Sequence, residues 1–314
     1  MTPLVSILIP AYNSAAWIEE TLRSALAQSW PHREIIVVDD GSSDDTVERA
    51  RRFASSGVRV ISQPNAGASA ARNRAWRESR GDWLQFLDAD DLLEPRKIEH
   101  QLRLAHTHGP DFAYCARWTR FTRATADADF TPQPLCRDAH PEEWITLKLR
   151  DNVMMHPAAW LVSRPLAERA GPWDESLSLD DDGEFFSRVV FASRGVRHCE
   201  EALSYYRSNI SGSLSKRRTA AAWQSGFRSL ELTADRLLAR RRDAETKSAA
   251  ANAYQQLAYS AYPDEPSIAA RCERRARELG GSNVQPGGGA AFRGISRFLG
   301  WRFARRLQLW RQML

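Results

Sequence analysis

Three clusters of carboxylates carry the chemistry that this 314-residue sequence offers. Asp88-Ala89-Asp90-Asp91 follows directly on an apolar run. Alternate aspartates at such an edge are hard oxygen ligands, suited to Mg²⁺ or Mn²⁺ bridging a diphosphate. Such a cation would neutralise charge on a departing nucleoside diphosphate. The same three aspartates would also serve as turn formers and helix caps. In Val37-Val38-Asp39-Asp40-Gly41-Ser42 a strand runs into a glycine turn, where an aspartate can accept hydrogen bonds from a base N–H or a ribose hydroxyl; ordinary capping explains the segment equally. The third cluster, Asp174 to Glu184, leads into the apolar helix of Phe185, Phe186, Val189 and Val190. A carboxylate at a helix N-terminus is favoured as the anion, the form a general base requires, and acids also simply enrich helix starts.

These clusters need elements that hold them on one edge. Val5 to Pro10, Glu34 to Asp39, Val58 to Ser62 and Trp83 to Asp88 read as buried strands, with helical patterns between them. Ala15, Ile18, Leu22 and Leu26 share one face of the first helix. Asp44 or Asp45 is placed to cap the second and Ser69 the third. Strand, helix, strand at this spacing implies right-handed crossovers and an α/β fold with a mostly parallel sheet, whose ligands gather at the carboxyl ends of the strands. Three strands end in polar or turn residues, Pro10-Ala11-Tyr12-Asn13, Asp39-Asp40-Gly41-Ser42 and Asp88-Ala89-Asp90-Asp91, which must therefore share one rim. Further along, helices are expected near 141–149 and 181–193, and strands at Trp160 to Ser163 and Leu203 to Arg207.

Residues 219–280 are rich in Ala, Arg, Glu and Leu and read as two or three helices broken at Tyr262-Pro263-Asp264. Pro286-Gly287-Gly288-Gly289 reads as a linker. In the tail, Ile295, Leu299, Phe303, Leu307, Trp310 and Leu314 follow helical spacing among six arginines. A basic amphipathic helix there suits an anionic membrane surface or packs onto the protein or a second subunit. The division expected is 1–215 for the catalytic unit, 216–280 for a helical extension, and 281–314 for linker and tail.

Composition excludes other classes. At 43% apolar and 26% charged, the chain is an ordinary globular protein rather than a disordered or collagen-like one. Residues 285–314 hold six arginines and no acid, so removing them from the net +5 leaves the rest at −1, a poor match for a nucleic-acid surface. No G-x-G-x-x-G follows a strand and no G-x-x-x-x-G-K occurs, which counts against a dinucleotide or P-loop site. The glycine- and basic-rich loop typical of nucleotidyltransferases is missing after the first strand. Cys115, Cys136, Cys199 and Cys272 are scattered, which suggests reduced structural thiols. With no basic leader and no apolar run near the ~20 residues of a spanning helix, the expected location is the cytoplasm, with the inner face of the membrane as the alternative.

In order and spacing these segments resemble the family 2 glycosyltransferases, over about residues 4 to 215. The matching pieces are Val5-Ser6-Ile7-Leu8-Ile9-Pro10-Ala11-Tyr12-Asn13, the Val-Asp-Asp-Gly-Ser run, Asn65-Ala66-Gly67-Ala68-Ser69-Ala70-Ala71-Arg72-Asn73, and Phe86-Leu87-Asp88-Ala89-Asp90-Asp91. The resemblance implies the Rossmann-like fold called GT-A, a nucleoside-diphosphate sugar donor with UDP favoured, and Mn²⁺ or Mg²⁺. It further implies inverting transfer to a glycan or lipid-linked acceptor in cell-surface polysaccharide or lipopolysaccharide synthesis.

By the same resemblance Pro10, Ala11, Tyr12 and Asn13 line the nucleotide pocket and Asp40 contacts the base. Asp88, with Ala89 and Arg72, lies near the donor, and Asp90, with Asp88, ligates the metal. The family's Glu-Asp-x-Asp/Glu segment stands here as Asp181-Asp182-Gly183-Glu184, making Asp182 the base, with Asp180 a rival if the register slips by one. His156, Asp181, Arg207 and Lys216 are further candidates for acceptor or phosphate contacts, the alternatives being a structural histidine at 156 and solvated loop charges at 207 and 216. A non-catalytic nucleotide-sugar-binding protein on the same fold is the alternative, its only hint being Asp in place of Glu at 181.

Overall fold

The computed structural model describes residues 2–128, 131–210 and 218–313. Strand β1 (Val5–Ala11) is buried along its whole length, as expected of a strand covered on both faces. Helix α1 (Ile18–Leu26) follows, burying Ile18, Thr21, Leu22 and Ala25. Next come β2 (Arg33–Asp39), α2 (Thr46–Arg51), β3 (Val58–Ser62), α3 (Ala68–Arg77) and β4 (Trp83–Phe86). These four strands are parallel, in the order β3-β2-β1-β4.

The second half of the sheet is mixed. After β5 (Leu92–Leu93) and α4 (Lys97–His108), β6 (Ala113–Phe121) lies antiparallel to β7 (Trp160–Ser163), which in turn lies antiparallel to β4. Strand β8 (Val196–Arg207) is parallel to β6 and antiparallel to β5, giving an eight-stranded order of β3-β2-β1-β4-β7-β6-β8-β5. Helices α5 (Pro141–Asp151), α6 (Arg164–Ala170) and α7 (Asp181–Ala192) cover this half.

The strand ends test the shared-rim expectation. Ala11 is paired with Asp39, and the Leu87 N–H donates to the Leu8 carbonyl at 3.0 Å, so the polar ends of β1, β2 and β4 do lie together. Strand β4 stops two residues before the expected Asp88 because the chain turns there, with Asp91 N–H bonded to the Asp88 carbonyl at 3.1 Å.

Helices α8 (Ala220–Arg240), α9 (Ala244–Ala261) and α10 (Pro266–Glu278) match the expected helices and the break at Pro263. Their buried residues, Trp223, Phe227, Tyr254 and Cys272 among them, belong to the same apolar cluster as Leu8, Phe86, Trp173 and Phe185.

Two expectations are corrected. Ser69 is not a cap: α3 starts at Ala68, and the Ser69 hydroxyl donates to Asp181 instead. The tail is two helices, α11 (Ala290–Leu299) and α12 (Trp301–Met313), because Gly300 at φ +80° breaks the run. Lys216 and Leu314 lie outside the described residues. Among those described, all four cysteines are free and no helix is long and apolar enough to cross a membrane.

Candidate active site

The rim begins with a turn pinned from two strands. Asn13 adopts φ +48°; its N–H donates to Ser42 Oγ, and its side-chain oxygen accepts from the Ser43 N–H, each at 2.9 Å. Tyr12 is left exposed at the edge. Gly41 has φ +76°, and a Cβ there would stand 2.9 Å from the Asn65 backbone nitrogen, so the turn requires glycine. Asp40 is buried, and its carboxylate accepts from Gln63 Nε2, Ala66 N and Gly67 N at 2.8–2.9 Å. Both of its oxygens are thus committed to the loop before α3.

From that loop, α3 projects Arg72 into the centre of the site. Its guanidinium donates to Asp88 Oδ1 and to Asp181 Oδ2, both at 2.7 Å, and lies 4.4 Å over the Trp173 ring. Burial opposes its charge, but Asp88 and Asp181 outweigh that and hold it more firmly protonated than usual. Trp173 is itself stacked 4.1 Å from Phe185 of α7, and its backbone is clamped by Asn73 through two hydrogen bonds of 2.9 Å. One arginine thus joins the end of β4 to the start of α7.

The acids of α7 separate by their partners. Asp180, at φ +61°, accepts from Ser229 of α8 at 2.7 Å. Asp181 is buried against Arg72 and Ser69, and burial raises its pKa although Arg72 lowers it. Glu184 is buried between Arg188 and Arg236. Asp182, like Asp180, forms no ion pair among the described residues: it is half-buried, and its carboxylate accepts one hydrogen bond there, from the Gly183 N–H of its own helix at 2.9 Å. Burial, then the charges of Asp181 and Asp180, push it up to about 7.

Asp90 is likewise left open. Among the described residues no donor from another residue reaches its carboxylate, and burial with the charges of Asp91 and Asp88 holds its pKa well above the ordinary value. Asp88 contributes to the shift of both Asp90 and Asp182, which places it electrostatically between them. No group of three His, Cys, Asp or Glu side chains able to hold a metal occurs among the described residues. Asp90 and the half-exposed Asp88 fit a cation whose remaining ligands are phosphate oxygens and water, as Mg²⁺ commonly takes.

Two candidates turn inward. His156 is 0% exposed, its Nδ1 2.8 Å from Asp91 Oδ2 and its Nε2 2.9 Å from Ser204 Oγ; burial lowers its pKa to about 3. It presents no atom to an acceptor in this conformation and braces the turn behind Asp90. Arg207 is buried too: its Nε donates to the Asp90 carbonyl at 2.9 Å, its guanidinium pairs with Glu20, and it lies between the rings of Trp17 and Phe121. Sequence reasoning missed Asp91, Ser69, Trp173 and Glu20 as supports. Only Trp173 carried a signal, as an aromatic at the head of the acidic segment.

The arrangement is a polar rim with an open carboxylate on each side of an arginine clamp. The glycosyl transferase family 2 model matches residues 6–167, about half of the chain. Bacillus subtilis EpsH, named as a glycosyltransferase, is 31% identical over 240 residues, 74% of this chain and 69% of that protein. Staphylococcus aureus TarS 1–349, solved with UDP-GlcNAc, superposes with a TM-score of 0.70 at 17% identity, over 88% of this chain and 81% of its own. The mannosyltransferase PcManGT of Pyrobaculum calidifontis, solved with GDP-Man and Mn²⁺, gives a TM-score of 0.55 at 18% identity, over 98% and 87%. The fold is GT-A, and the chain belongs to glycosyl transferase family 2.

Proposed function

We propose that this protein transfers a sugar from a nucleoside-diphosphate donor, UDP-sugar favoured, to a hydroxyl of a glycan or lipid-linked acceptor with inversion. Synthesis of a cell-surface polysaccharide or lipopolysaccharide is the proposed setting. The observation that carries this reading is Asp182, whose carboxylate is held by no other residue's side chain among those described and is poised near neutral pH at a helix start, whereas Asp180, Asp181 and Glu184 are bonded to Ser229, Arg72 and two arginines. It takes the proton of the acceptor hydroxyl as that oxygen bonds to the anomeric carbon. The bond from that carbon to the diphosphate oxygen breaks, and its electron pair leaves with the nucleoside diphosphate.

Pro10 to Asn13 and Asp40 line the nucleotide side of the rim, and Asp88, Ala89 and Arg72 the sugar side. Asp90, with Asp88, would hold Mn²⁺ or Mg²⁺, which when bound neutralises charge on the diphosphate. Residues 1–215 serve as the catalytic unit. TarS has been solved with UDP-GlcNAc and with UDP, and PcManGT with GDP-Man, so both nucleotides belong in the donor screen.

A thermal-shift screen of UDP and GDP sugars with Mn²⁺ identifies the donor, since a ligand of the folded state raises its melting point. Turnover of that donor by wild type and Asp182→Asn then tests the base. Equal turnover in both would defeat the catalytic reading, and donor binding without turnover in either would favour a nucleotide-sugar-binding protein on this fold.

A further inference from the structure

The last two helices bury Phe292 and half-bury Leu307 but turn four large apolar side chains outward. In α12, Trp301 packs edge-on against Tyr259 and Tyr262 of the helical extension, with centroids 4.8 and 5.2 Å apart. Ala304 is buried on the same side, and Arg305 and Gln308 are half-buried and bonded to each other at 3.0 Å. These four positions define the inward face. At roughly 100° per residue, Phe303, Leu307 and Trp310 fall on the opposite side. There Phe303 is 51% and Trp310 56% exposed, and Phe298 and Leu299 at the end of α11 are 84% and 62% exposed. A surface helix normally buries such a stripe and exposes its polar face.

Charge selects what covers this stripe. Residues 285–314 hold six arginines and no acid. Of these, Arg302 flanks the stripe and pairs with Glu273 at 2.8 Å, while Arg297 and Arg306 are exposed beside it. A second copy meeting this face about a two-fold axis would set arginines against arginines, which opposes self-association. The partner must be both apolar and anionic.

We propose that α11 and α12 dock this protein in the plane of an anionic lipid bilayer. Phe298, Leu299, Phe303 and Trp310 enter the boundary between headgroups and acyl chains, and the arginines meet lipid phosphates. The proposal goes beyond the transfer reaction and is independent of Asp182.

Sedimentation of the full chain with vesicles tests it. Binding is expected to vesicles of phosphatidylglycerol and phosphatidylcholine but not of phosphatidylcholine alone, and is expected to disappear near about 0.5 M salt. Phe303→Ser/Trp310→Ser is expected to bind about tenfold more weakly with an unchanged melting point, because the inward face is untouched. Should that variant misfold, Phe298→Ser, at a fully open position, gives the same readout with a smaller loss. Absence of binding to anionic vesicles, or equal binding by folded variants, overturns the proposal. So does a concentration-dependent dimer that the variants dissolve while vesicles leave the chain in the supernatant.

Discussion

Arg72 holds the buried carboxylate of Asp181 at 2.7 Å across 109 residues of sequence. Its other terminal nitrogen is bonded to Asp88, so a single side chain fixes how far the β4 rim stands from α7. Removing one member of a buried ion pair leaves the other charge uncompensated. Arg72→Ala is therefore expected to cost about 3 kcal/mol in urea denaturation at pH 7 and to abolish turnover. Arg72→Lys, which can reach only one carboxylate well, falls between the two.

Asp182 gives a prediction in which activity and stability separate. Its folded pKa, about 7, lies above the ordinary 3.8. A raised carboxylate contributes stability that is complete below pH 3.8 and lost as pH rises through 7. Asp182→Asn is therefore expected to melt at or above the wild-type temperature at pH 8, while kcat falls by about two to four orders of magnitude. In the wild type, kcat/KM should rise as pH climbs through about 7. A low melting point in the asparagine variant at pH 8 would show that the residue is structural.

Asp90 is expected to govern metal use. Since among the described residues no donor from another residue reaches its carboxylate, and its charge is disfavoured by burial and by Asp91 and Asp88, Asp90→Asn should not lower the melting point of the free protein. It should raise the Mn²⁺ concentration for half-maximal turnover by about tenfold or more. Metal titration of the two proteins at saturating donor is the measurement.

His156 is expected to matter to folding. Its folded value, about 3, lies below the ordinary 6.5, so its contribution is complete above pH 6.5 and is lost as pH falls through 3. His156→Ala leaves Asp91 and Ser204 short of a partner and should cost about 3 kcal/mol at pH 7, read by urea denaturation. The variant should also show a shallower loss of stability on the acid side.

The strands with β-branched runs and the three polar strand ends could be read directly, because a buried parallel strand has a distinctive composition. Strand β6 could not: Ala113–Phe121 carries Arg117 and Arg120 among aromatics, and the polar first half of β8, Arg197 to Glu201, hides a strand that is open to solvent on one side. In the site, the acids were legible as motifs, but their partners were not. Spacing could not reveal that Arg207 folds inward to Glu20 and the Asp90 carbonyl, or that His156 braces Asp91. Those contacts join residues between 65 and 187 positions apart, and only the packed sheet brings them together.

Ser229 and Arg236, both on α8, grip Asp180 and Glu184 on either side of Asp182. A chain cut after residue 215 would thus keep every family motif yet lose the hands that steady the proposed base, so shortening this transferase from its C-terminal side should blunt catalysis well before it reaches the proposed donor rim.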